Sequence, residues 1–256
     1  MNRAGRCPVA QAGLQAGLLL ALILALGGCA GNRPTEDRLP AQWYPASAEG
    51  QAETLLILLP GARDRGDGFY QEGVIELIRA QRPDWDLVTV DAHLGYYRER
   101  SFVDRLGEDI VRPALASGYR ELWLSGPSLG GFGSLLYLCL GDADAVSGVI
   151  VLAPFLGGGG ILRDIERAGG PMDWVPGGAG RDFERELWAC LRDGVDADIW
   201  LGWGRSDRMG RGNQLLAELL PEERILVIEG GHRWSTWREL WLELLERKSD
   251  QGRTPR

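Results

Sequence analysis

Histidine is scarce in this chain: 256 residues hold two, His93 and His232. Cysteine numbers four, and no cysteine or histidine stands at metal-ligand spacing from another, so the sequence argues against a zinc site and implies no metal or other cofactor. Also lacking is an apolar run long enough to cross a bilayer. The strongest one, Leu18 to Leu26, falls well short of the roughly 20 residues a spanning helix needs. Basic charge is in deficit, with 28 Lys and Arg against 36 Asp and Glu, and an acidic surface disfavours nucleic acid and anionic membrane surfaces as partners. What remains is ordinary for one soluble α/β-sized domain: 45% hydrophobic and 25% charged residues exclude a disordered chain and a multi-span membrane protein. Ten tryptophans point to large apolar side chains around a core or a pocket.

The N-terminus is read as a targeting segment and set aside. Arg3 and Arg6 make a positive start, the apolar run follows, and Leu26-Gly27-Gly28-Cys29 ends it. Small residues before a cysteine suit a cleavage site, and this box resembles that of bacterial lipoproteins. The resemblance implies acylation of Cys29, a signal peptide over 1–28, and, because Ala30 rather than aspartate follows, an anchor in the outer membrane facing the periplasm. An ordinary signal peptide or an uncleaved anchor is the alternative. Cleavage leaves 26 basic residues against 36 acidic ones, a net charge of −10, so membrane contact is expected through the lipid alone. Cys139 and Cys190 lie in separate segments and are read as two unrelated buried thiols, although a periplasmic location permits a disulfide.

Residues 29–50, rich in Pro, Gly, Ala and charge, read as a tether. From there strands and helices alternate. Apolar runs at Thr54–Leu59, Trp85–Val90, Glu121–Ser125, Val146–Pro154, Ile199–Trp203 and Ile225–Ile228 predict strands. Helical spacing covers Phe69–Arg79, Phe102–Ser117 (with Pro113 as a bend or break), Leu129–Leu140, Leu215–Leu220 and Trp234–Leu245. This pattern predicts a mostly parallel sheet covered by helices on both faces. About 157–196 is too long for a simple connection; its glycine clusters and its Trp174, Phe183, Leu187 and Trp188 suggest a small cap on hinges. Residues 248–256 read as a flexible tail.

Gly126-Pro127-Ser128-Leu129-Gly130 falls between an apolar strand and an apolar helix. A serine on so sharp a turn needs small residues two before and two after it, so that strand and helix can approach, and its hydroxyl then projects at a helix N-terminus. Gly131 and Gly133 extend the small face where that helix meets the sheet. Gly230-Gly231-His232 follows the last strand, and Asp207 lies just past the strand before it.

The order strand, Gly-x-Ser-x-Gly, helix, strand, insertion, strand with Asp, strand with His resembles the α/β-hydrolase fold, over residues 51–247. That resemblance implies a catalytic triad of Ser128, Asp207 and His232. Asp164 and Asp173 compete for the acid position, and pairing with Arg205 or Arg208 is the plain alternative for Asp207. It also implies an oxyanion hole from the amides of Leu129 and of Ala62, with Arg63 as the competing donor, because Pro60-Gly61 stands where many relatives carry His-Gly. His93, in a loop after the second strand, reads as a surface or structural histidine, with substrate contact as the alternative. Arg63, Asp64, Arg65 and Asp67 either line the site mouth or form a self-paired charge run, the latter being preferred. The expected activity is hydrolysis of a small-molecule ester through an acyl-enzyme. The alternatives are an acyltransferase or thioesterase variant, or a non-catalytic envelope lipoprotein that uses the fold for binding.

Overall fold

The computed structural model describes residues 33–46, 50, 52–177 and 182–253. Cys29 and the segment read as its signal peptide lie outside the described residues. The chain divides into a short N-terminal unit, Met1–Thr35, and one compact unit, Glu36–Arg256.

Seven strands form one sheet in the order β1-β3-β2-β4-β5-β6-β7. They are β1 (Ala41–Tyr44), β2 (Thr54–Leu58), β3 (Trp85–Val90), β4 (Glu121–Pro127), β5 (Gly148–Leu152), β6 (Asp198–Gly204) and β7 (Ile225–Ile228). Every pairing is parallel except β1 on β3. The β2, β3 and β5 residues are buried throughout, which is why these strands read as unbroken apolar runs. Successive side chains go to opposite cores: Leu55, Ile57 and Leu59 to one face, Leu56 and Leu58 to the other.

The helices are α1 (Gly68–Gln71), α2 (Val74–Gln81), α3 (Leu94–Arg98), α4 (Phe102–Leu106), α5 (Arg112–Ala116), α6 (Leu129–Leu140), α7 (Gly159–Ala168), α8 (Phe183–Asp193), α9 (Gly210–Ala217) and α10 (Trp234–Arg253). A π-helical turn, Gly107–Val111, joins α4 to α5 and precedes Pro113, whose missing N–H breaks the regular ladder. The tryptophan surplus is explained largely by one core. Trp85, Trp123, Trp200, Trp237 and Trp241 are buried together on the face covered by α1, α2 and α10.

Four expectations are corrected. The tether read over 29–50 contains β1, which pairs antiparallel from Ala41 opposite Val90 to Tyr44 opposite Leu87. Its residues are largely exposed, so no buried run marks it. Two acids secure it, the buried Asp86 and the half-buried Asp109: the Leu39 amide donates to Asp109 Oδ2 at 2.9 Å and the Ala46 amide to Asp86 Oδ1 at 2.6 Å. Tyr119 also donates to Asp86, at 2.6 Å, and burial together with that carboxylate pushes its phenol up from the ordinary value.

Cys139 and Cys190 are bonded to one another, with Cα atoms 5.8 Å apart, and so join α6 to α8. The insertion over 157–196 is accordingly no freely hinged cap. Trp188 is fully buried and its indole N–H donates to the Leu156 carbonyl at 2.8 Å, while Arg100 of the body pairs with Glu186 at 3.2 Å. The buried Trp174 and Trp188 hold the insertion to the body. Finally, α10 continues through Lys248, read as the start of the tail. Its ammonium sits 4.0 Å from the Trp123 ring centroid and 5.3 Å from that of Trp85, over the stacked pair. Burial holds that ammonium below its ordinary value.

Candidate active site

Sheet order decides where a site can form. From β2 the chain crosses to β3 on one side, then returns to β4 on the other and continues outward through β5, β6 and β7. The reversal leaves a crevice at the carboxyl ends of β2 and β4, the place where open α/β sheets hold ligands. The loop Pro60-Gly61-Ala62 leaves β2 there, and Ser128 leaves β4 there.

Ser128 has φ 55° and ψ −113°, a conformation that L residues rarely adopt. Its surroundings over-determine it. The Ser128 amide donates to the Leu152 carbonyl at 2.9 Å, and its own carbonyl accepts from Phe132 and Phe155, both at 3.0 Å. The flanking glycines are required by one atom: a Cβ on either Gly126 or Gly130 would overlap the Leu59 carbonyl oxygen, which is wedged between strand end and helix start. Gly130→Ala is therefore expected to cost about 1–3 kcal/mol by overpacking. Urea unfolding measures this, and a change below about 0.5 kcal/mol would mean that the Leu59 peptide moves aside freely. Gly131 abuts Pro154 at the end of β5, as expected, whereas Gly133 faces Tyr97 and Phe102 rather than the sheet.

Asp207 and His232 are in hydrogen-bond contact. His232 Nδ1 lies 2.9 Å from Asp207 Oδ1 and 3.0 Å from Oδ2. Oδ1 also accepts from the Met209 amide at 2.8 Å, which fixes the carboxylate in place. A carboxylate only accepts, so the neutral imidazole tautomer that satisfies this pair carries its proton on Nδ1 and its lone pair on Nε2. The Asp207 side chain is fully buried, and Trp237 stands edge-on to the imidazole at 5.0 Å. Pairing of Asp207 with its arginine neighbours is not what is found: Arg205 goes to Glu229, at 2.8 Å. Asp164 pairs with Arg167 and Arg185 instead, and Asp173 lies exposed beside Gly169. His93 is buried, not at the surface, and its Nδ1 accepts from the Gly95 amide at 3.1 Å, capping α3.

Ser128 and His232 line one cavity of about 340 Å³, together with Gly61, Ala62, Arg63 and Asp64 from the loop after β2 and Arg208, Arg233, Trp234 and Trp237 from the segments after β6 and β7. Among the described residues, neither the Ala62 amide nor the Leu129 amide donates to another backbone carbonyl, so both are available. A Cβ on Gly61 would meet Asp64 Oδ2 at 2.5 Å, so a larger residue there displaces that carboxylate. Burial pushes the Asp64 carboxyl up from its ordinary value, against the Trp234 hydrogen bond that lowers it.

The charge run after β2 is split, not self-paired. Arg63 and Asp64 face the serine cavity, while Arg65 and Asp67 line a separate cleft with Tyr44 and Tyr70. No described residue of 157–196 lines the serine cavity. From sequence, Arg208 reads only as an alternative partner for Asp207, and Arg233, Trp234 and Trp237 have no assigned role; their one signal is proximity to Asp207 and His232 along the chain.

Solved structures of similar shape are numerous. Est1E from Butyrivibrio proteoclasticus has a TM-score of 0.60 at 14% identity, over 83% of this chain and 93% of its own. The S-formylglutathione hydrolase of Staphylococcus aureus has 0.56 at 12% identity, over 84% and 97%. The fluorophosphonate-binding serine hydrolase F of the same organism has 0.54 at 13%, over 84% and 86%. No family model and no curated protein matches the sequence. Identities this low carry shape alone, and together with the seven-stranded, mostly parallel sheet they establish that this chain has the α/β-hydrolase fold.

Proposed function

We propose that this protein is a serine hydrolase that cleaves an ester-type acyl bond of a small molecule through Ser128, His232 and Asp207. One observation carries the reading: Ser128, on its strained turn, shares a cavity with a histidine whose Nδ1 is bound to a buried carboxylate. A serine hydroxyl is a poor nucleophile until its proton is taken, and Nε2 of His232 is left with the lone pair to take it. Attack on the carbonyl carbon forms a tetrahedral intermediate, whose oxyanion the Leu129 and Ala62 amides receive at the start of α6. His232 then protonates the departing alcohol. It next deprotonates a water that releases the acyl group, while Asp207 stabilises the imidazolium in both halves.

Labelling of the purified protein with a fluorophosphonate tests this without knowledge of the substrate. Wild type is expected to label, Ser128→Ala not at all, and His232→Ala far more slowly. A folded wild type that stays unlabelled would refute the reading.

The proposal includes attachment to the bacterial envelope through acylated Cys29, supported by the order of charge, apolar run and box in the N-terminal segment. Cys29→Ser is expected to move the protein from the membrane to the soluble fraction on cell fractionation. Retention in the membrane would show that the apolar segment, not an acyl chain, is the anchor.

A further inference from the structure

The charge of the serine cavity contrasts with that of the chain. The protein carries −8 overall, yet the cavity lining holds Arg63, Arg208 and Arg233 against a single carboxylate, Asp64. The three come from three different loops, after β2, β6 and β7, so no local sequence tendency explains their convergence. Neighbouring arginines are already engaged. Arg205, three residues before Arg208, is held by Glu229, and Arg211, three residues after it, is paired with Glu166. Among the described residues, no carboxylate forms an ion pair with Arg63, Arg208 or Arg233. The opposing charge is itself weakened, because burial raises the Asp64 carboxyl's affinity for its proton and the Trp234 indole occupies it. Beside the arginines, Trp234 and Trp237 present aromatic surface to the same cavity.

We infer that the substrate is an anionic ester, with a carboxylate or phosphate received by Arg63, Arg208 and Arg233 and an apolar body resting against Trp234 and Trp237. This inference rests on the hydrolase reading of the same site. Guanidinium groups suit oxyanions because their planar forks offer paired donors, and an aromatic wall suits the carbon skeleton between anion and ester. A cavity walled by protein also focuses the field of its charges towards an approaching anion, so the effect belongs partly to the association step and weakens with salt. The three arginines are exposed, which makes salt a sharp control.

Two matched ester pairs test the inference. With the charge on the acyl side, mono-p-nitrophenyl succinate is compared with p-nitrophenyl butyrate. With the charge on the alcohol side, 4-acetoxybenzoate is compared with 4-acetoxybenzamide. The anionic member of at least one pair is expected to show kcat/KM about tenfold or more above its neutral partner in low salt, as a net positive cavity requires. The ratio is expected to shrink towards one as salt rises to about 0.5 M, where the Debye length falls to about 4 Å. In the Arg63→Gln, Arg208→Gln, Arg233→Gln variant, checked for folding by its thermal melt, the ratio is expected to fall to about one at all salt concentrations. Neutral esters turned over as fast as anionic ones in both pairs would overturn the inference and leave the hydrolase reading standing. An anionic preference that persists in the triple variant would overturn the role of the arginines. Absence of both fluorophosphonate labelling and ester turnover would remove the hydrolase reading and this inference with it.

Discussion

Ser128→Ala is expected to lower kcat/KM by about 10⁶-fold on any ester the protein turns over, with KM little changed. The size of the effect follows from the arrangement: one hydroxyl, one imidazole and one carboxylate act as a single proton-transfer unit, so loss of the nucleophile removes the covalent route altogether. His232→Ala is expected to match it, and the double variant to be no worse than either single one, because the two groups contribute to one step. Asp207→Asn is expected to cost about 10⁴-fold, since an amide in place of the carboxylate no longer requires the proton on Nδ1. Single-turnover kinetics with an activated ester measure all four. Additive losses in the double variant would mean that Ser128 and His232 do not act on the same step. A separate readout comes from the backbone. At φ 55° and ψ −113°, a residue with a Cβ is strained by about 1–3 kcal/mol. Ser128→Gly is therefore expected to melt above Ser128→Ala, although glycine loses more chain entropy on folding. The reverse order would show that the turn is relaxed.

Breaking the disulfide is expected to have the largest effect on stability. Cys139 and Cys190 close a loop of 51 residues, and chain-entropy arithmetic for that length amounts to about 4 kcal/mol. For a unit of this size the melting temperature is expected to fall by about 8–16 °C in the Cys139→Ser, Cys190→Ser variant, and similarly for wild type under reductant. Activity below the transition is expected to survive. Cys139 lies near the far end of α6 from Ser128, about 16 Å along the helix axis, and no described residue of α8 lines the cavity. Differential scanning calorimetry checks the first expectation and initial rates the second. A fall of less than about 2 °C would mean that Trp188 and the Arg100–Glu186 pair already hold α8 without the covalent link.

Much of the fold was legible because its causes are local. A strand buried on both faces must be apolar at every position, so β2 and β3 announce themselves. A helix laid against a sheet edge at a tight turn must be small where backbones touch, and Gly126 and Gly130 carry that requirement. The positions of Asp207 and His232, each just past a strand, were legible for the same reason. Their hydrogen bond follows from the parallel sheet, which sets adjacent strand ends side by side.

What sequence alone determined about this protein is the set of elements and the residues at their ends. Only the tertiary structure decided how distant segments combine. An exposed edge strand such as β1 leaves no periodic trace, because its stability comes from the β3 backbone rather than from its own side chains. Cys139 and Cys190 become a bond only when α8 docks on α6, and Lys248 joins the core only because β3 and β4 bring two tryptophan rings together beneath it. The cavity's charge is of the same kind. Arg63, Arg208 and Arg233 are unremarkable in their own loops, and become an anion-receiving wall because the strand order gathers those loops at one edge of the sheet. Hydrophobic periodicity and turn chemistry act over a few residues and can be read along the chain, whereas electrostatic potential and cross-linking depend on distances through space that the chain sets only once it is folded.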